Sequence, residues 1–149
     1  MDDFMSLALA EANLALIKGE IPVGALIVDP IKKVVLASSG NRVITDSDPT
    51  AHAEILVIRE AAKIYGSSKL IGLDIYVTLE PCAMCASAIS MSRLRKLVFG
   101  AYDPKTGAVD HGPKIFSQKT THHKPEVIGG VREEESSEYL KVFFKLMRS

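Results

Sequence analysis

A chain of 149 residues with 47% hydrophobic and 24% charged side chains has the proportions of one ordinary folded domain, which excludes fibrous and disordered classes. Eighteen basic residues balance eighteen acidic ones, so this is not a protein that coats polyanions. The balance conceals a gradient: residues 1–80 hold 7 Lys and Arg against 11 Asp and Glu, whereas residues 81–149 hold 11 against 7, leaving room for a basic side.

The apolar stretches, such as Gly24 to Val28 and Leu70 to Leu73, fall far below the roughly 20 residues that a spanning helix needs, so no membrane span is expected. Met1 is followed by Asp2 and Asp3 where a secretory signal carries positive charge, so the chain is expected to stay in the cytoplasm. From Asp3 to Lys18 apolar residues recur at three- and four-residue steps and Gly19 follows, predicting a first helix. Ile21 to Val28 and Lys33 to Ala37 are rich in β-branched residues and joined by the turn dipeptide Asp29-Pro30, as in a hairpin. After the polar stretch 46–50, residues Ala51 to Tyr65 have helical periodicity up to Gly66, with His52 and Glu54 in the first turn.

Asp74 to Leu79 reads as a third strand, broken by Pro81, and Cys82 to Ser92 as a helix beginning at the first cysteine. Lys96 to Phe99 and Pro125 to Ile128 predict two further strands. Glu133 to Met147 predicts a closing amphipathic helix, with acids at its start and Lys145 and Arg148 at its end, in accord with the helix dipole. Helices alternating with strands predict an α/β fold, three layers α/β/α around a mixed sheet of roughly five strands. Residues 101–124, rich in Gly, Pro, Lys and His, form the longest irregular region, and long loops in compact domains are usually functional.

Two cysteines three residues apart, without an export signal, point to metal or redox chemistry in preference to a disulfide. Thiols at i and i+3 near a helix start face one way, and the dipole favours their thiolates. As these are the only cysteines, a structural four-thiolate site is excluded, and His must supply any further donor. A redox pair is the competing reading, weakened by the lack of a thioredoxin-like strand-helix order around it. Alone, a His near a helix start is more often a cap or a packed core residue than a ligand. With His52 opening one strand-linked helix and Cys82 the next, however, both helix starts can face one ion, making His52, Cys82 and Cys85 a three-ligand zinc site with a place for water. Glu54 then serves as the proton carrier between that water and a departing amine, although an acid in a first helical turn also complements the dipole.

His-x-Glu followed by Pro-Cys-x-x-Cys is the signature of zinc nucleobase deaminases. Beyond it, Pro22-Val23-Gly24-Ala25, Asn41-Arg42, Asp48 to Ile55, Tyr76 to Cys85, Val98-Phe99-Gly100-Ala101, Asp103 and Lys105-Thr106-Gly107 resemble the bacterial-type tRNA-specific adenosine deaminases, over roughly residues 3–147. The resemblance implies a cytidine-deaminase-like fold spanning residues 1–149, and conversion of adenosine to inosine at the wobble position of an arginine tRNA anticodon. It further implies a homodimer with one zinc ion per subunit, and a base flipped into a pocket. By motif position, Asn41 and the Ala53 backbone resemble contacts to the base, and Asp103 an acid beside the neighbouring nucleotide. The turn at Asp29 to Lys33 is slightly longer than the family's, and the basic tail is reduced to Lys145 and Arg148 before Ser149. His122 and His123 read as ordinary surface histidines. The rival reading is a deaminase of a free base, guanine, cytosine or a pterin-like ring; the run from Phe99 to Gly107 and the basic second half favour RNA. A non-catalytic partner subunit would lack the acid, and Glu54 is present.

Overall fold

Gly24-Ala25-Leu26-Ile27-Val28 offers no polar face to water, so the strand it forms must lie inside a sheet covered on both sides. In the computed structural model, which describes residues 3–148, β1 (Gly24–Asp29) is buried at every position but its last. The reading of Met1 and Asp2 as lacking a signal, and Ser149, lie outside the described residues. β1 pairs antiparallel with β2 (Val34–Gly40) on one side and β3 (Asp74–Leu79) on the other. β3 then pairs in parallel with β4 (Lys96–Ala101), and β4 with β5 (Glu126–Ile128), giving a mixed five-stranded sheet in the order β2-β1-β3-β4-β5.

Side chains alternate between two cores, as the twofold period of a strand requires. Ala25 and Ile27 of β1, Ile75 and Val77 of β3, and Leu97 and Phe99 of β4 pack with Val57 and Ala61 of α2 (Ala53–Tyr65) and Ile89 of α3 (Ala83–Met91). Leu26, Val28, Tyr76 and Val98 point the other way, against Met5, Ala8 and Leu9 of α1 (Phe4–Ile17) and Tyr139 of α4 (Glu133–Arg148). The expected α/β/α layering is therefore present. Each fully buried Leu, Ile, Val or Phe side chain contributes on the order of 1.5–3 kcal/mol, so both faces stabilise the sheet.

Several boundaries differ from the sequence reading. The first strand starts at Gly24, not Ile21, because the amide of Val23 turns back onto the carbonyl of Ile21 (2.8 Å). β2 runs on to Gly40, paired with Gly24. Asp29 ends β1 and its carboxylate accepts from the amides of Ile31 (3.0 Å) and Lys32 (3.1 Å), which makes the hairpin turn. His52 and Cys82 are not helical: both are extended N-cap residues (ψ 149° and 176°), and the helices begin one residue later. The irregular region contains a single 3-10 turn, Ile115–Ser117. Among the described residues no helix is long and apolar enough to cross a membrane.

Candidate active site

The carboxyl end of β3 and the start of α3 are joined by only three residues, Glu80-Pro81-Cys82, so whatever β3 anchors is delivered to the sheet's edge. α2 starts alongside it. Its first residue, Ala53, and Ala51 just before the cap are completely buried, and their small side chains let the helix end seat closely against the sheet. As N-caps, His52 and Cys82 use their carbonyls to accept the first helical bonds, from Leu56 (3.1 Å) and Ala86 (2.8 Å), while their side chains turn into the cleft between the two helices.

There His52 Nδ1 lies 3.7 Å from Cys82 Sγ and 3.5 Å from Cys85 Sγ, and all three donor atoms fall within 4.8 Å of one another. Arms of about 2.0 Å to nitrogen and 2.3 Å to sulfur at a tetrahedral centre subtend roughly 3.5 Å, so this spacing fits one zinc ion with a fourth position left over. The electrostatics point the same way. Cys82 is held down to about 4, first by its hydrogen bond with Cys85, against burial, and further by His52. Cys85 is pushed up, first by sharing a proton with Cys82 and then by burial. His52 is raised, chiefly by Cys82. This is the pattern of two thiols competing for one negative charge, and a cation between them would let both ionise.

Glu54, on the first turn of α2, is 4% exposed and lines the same cavity as His52 and Cys82. Burial pushes it up to about 7, where a carboxyl can both take and release a proton near neutrality. A cavity of about 140 Å³ adjoins these groups and is lined by Asn41, His52, Ala53, Glu54, Cys82 and Asp103, with Ile21, Val23, Leu79, Glu80 and Thr106 completing its wall. Cys85, fully buried, sits behind it. The candidate site residues Asn41, His52, Ala53, Glu54, Cys82, Cys85 and Asp103 are therefore in or against one site. A larger hollow of about 440 Å³, at the far end of α3, contains none of them. His122 lines that hollow, and His123 is tied by Nε2 to the carbonyl of Leu94 (2.7 Å).

Sequence reasoning missed Glu80. Its carboxylate, 2% exposed, is part of the cavity wall and gathers the amides of Asp103, Val109, Asp110 and His111. A lone acid between an apolar strand and a proline was the available signal, and nothing local reveals partners 23 to 31 residues away. Glu20, 1% exposed, was missed likewise: it accepts from the amides of Ile44 (3.1 Å) and Thr45 (2.6 Å), bracing the loop after Asn41.

Residues 1–101 match the family model of the cytidine and deoxycytidylate deaminase zinc-binding region. Across the whole chain, the tRNA-specific adenosine deaminase of Agrobacterium fabrum is 52% identical over 145 residues, 97% of this chain and 94% of the relative. The chain belongs to this family. A solved structure from work on A-to-I editing by tRNA:A34 deaminases superimposes with a TM-score of 0.89 at 53% identity, covering 92% of this chain and 98% of that one. The guanine deaminase of Bacillus subtilis shares the fold more distantly, with a TM-score of 0.67 at 26% identity over 99% of this chain and 94% of that one. The donor trio is thus the zinc site of a deaminase, with His52, Cys82 and Cys85 positioned for one ion.

Proposed function

We propose that this chain hydrolyses adenosine to inosine at the wobble position of a tRNA anticodon, that of an arginine tRNA in the first instance. In this reading residues 1–149 act as one deaminase domain, as a homodimer in the cytoplasm with one zinc ion per subunit. One observation carries it: a single small cavity brings together the His52, Cys82 and Cys85 side, Glu54, Asn41 and Ala53, with Asp103 at its wall. At about 140 Å³ it is well below the roughly 300–1,000 Å³ of sites that engulf whole drug-sized ligands, which suits one ring system entering while the rest of the molecule stays outside. A base flipped from an anticodon loop is such a ligand.

Zinc, when bound, supplies Lewis acidity that brings a water's pKa towards neutrality. The chain's own residues do the rest. Glu54 accepts a proton from the attacking water and passes it to the exocyclic amine, so that water is consumed and ammonia leaves. The amide of Asn41 and the backbone at Ala53 hold the base edge, and burial of Glu54 keeps bulk water from competing for its proton.

The test incubates zinc-loaded protein with an arginine anticodon stem-loop bearing adenosine at the wobble position, and scores inosine by mass spectrometry. Inosine confined to that position is expected. Its absence from protein shown to hold zinc, together with turnover of guanine or cytosine, would transfer the function to a free-base deaminase.

A further inference from the structure

Glu80 takes no part in the proton chemistry assigned to Glu54, yet both oxygens of its carboxylate are engaged. From the cavity wall its Oε1 accepts from the amide of Asp103 (3.0 Å) and meets His111 Nδ1 (2.8 Å), while Oε2 accepts from the amides of Val109 (3.1 Å), Asp110 (2.9 Å) and His111 (3.2 Å). One buried carboxylate therefore ties both ends of segment 103–111 to the last turn before Cys82. The segment lies so close that a Cβ added at Gly107 would stand 2.6 Å from Glu80 Cδ and 2.4 Å from the Asp103 carbonyl. The amide of Ala108 also bonds the carbonyl of Pro81 (2.9 Å). Within the segment the Asp103 carboxylate is oriented by the amides of Lys105 (3.1 Å) and Thr106 (3.0 Å). Asp103 and Thr106 face the cavity from this scaffold.

We infer that Glu80 is a positioning residue: it sets the rim formed by Asp103 and Thr106, against which the nucleotide next to the reacting base is seated. The inference rests on the RNA reading above, since a free base has no neighbouring nucleotide. Hydrogen bonds to an ionised acceptor are stronger and more directional than neutral ones, so a charged hub holds a loop of this length in one arrangement. A displaced rim loses its contact with the neighbouring nucleotide, a loss of ground-state binding that raises KM while the chemical step at Glu54 is unchanged.

The test uses zinc-loaded full-length protein and the same stem-loop. Glu80→Gln keeps the shape but turns an amide towards backbone donors. Zinc content should be unchanged, KM should rise by roughly 10- to 100-fold, and the single-turnover rate at saturating RNA should stay within about threefold of wild type. In an Asp103→Ala background the same change should cost under about threefold, because the rim residue it positions is already gone. Gly107→Ala, which leaves Glu80 in place but presses the segment away from it, should reproduce the KM rise even if Glu80→Gln folds poorly. Additive losses in the double variant, or a Gly107→Ala enzyme with wild-type KM, would overturn the role of Glu80 while leaving the RNA reading intact. Absence of inosine with the wild-type enzyme would overturn the RNA reading, and this inference with it.

Discussion

Glu54 shares a cavity with His52 and Cys82 yet is asked for something different from the three donors, and substitution separates them. Glu54→Ala removes a buried carboxyl but none of the donor atoms, so zinc content should remain near one per chain while inosine formation falls by about 10²–10⁴-fold, the usual worth of a placed proton carrier. His52→Ala or Cys85→Ala should instead lower zinc content as measured by elemental analysis; full retention of metal would refute the ligand assignment. The donor types and the acid were legible in the sequence because His-x-Glu and Cys-x-x-Cys are local spacings. Glu80 was not, because its meaning lies in amides that the chain supplies only after β4 and that reach it through the sheet.

α1 and β1 show how closely the elements behind the site are fitted. A Cβ at Gly24 would lie 2.0 Å from the Ala8 carbonyl and 2.6 Å from the Ala12 amide, both backbone atoms that cannot swing aside. Gly24→Ala should therefore destabilise by about 1–3 kcal/mol or more, as overpacking does, by pushing α1 off the sheet. Gly66→Ala is the contrasting case: Gly66 caps α2 at φ 78° with nothing within 4 Å, so only the left-handed backbone is penalised, at about 1–2 kcal/mol. Thermal unfolding of the two variants checks the order. Most helices and strands were readable from apolar periodicity and from Gly66 and Pro81. Their starts were misplaced, by two residues at α2 and by one at α3, because a cap such as His52 or Cys82 is decided by where its side chain is needed.

The two starts of α2 and α3 are held together across the molecule by whatever His52, Cys82 and Cys85 share, so zinc binding is linked to folding. Chelation should lower the melting temperature: free zinc at 100 times its dissociation constant contributes about 2.7 kcal/mol. For a chain of this length that is roughly 5–10 °C, read by calorimetry before and after metal removal and restored by zinc. The Glu20 carboxyl predicts an acid dependence. Burial raises it, but the Thr45 hydroxyl and the amides of Thr45 and Ile44 outweigh burial and hold it below the usual carboxylate range. A folded value below the unfolded one, about 4.3, means that the stabilisation is present above that pH and is lost as pH falls through the folded value. Glu20→Gln should flatten the acid limb of a stability-against-pH curve and leave its neutral plateau lower; an unchanged limb would remove Glu20 as its source.

Spacing, period and composition were enough to read an α/β chain with a metal pincer at Cys82 and Cys85, a candidate third donor at His52 and an acid beside it, since each depends on residues a few positions apart. Folding supplied what those cannot: the meeting of His52 with Cys82 across thirty residues, the burial that lifts Glu54, and the loops braced by Glu20 and Glu80. The physical reason is that donor chemistry resides in side chains, whereas convergence and desolvation arise only when distant segments pack around one sheet.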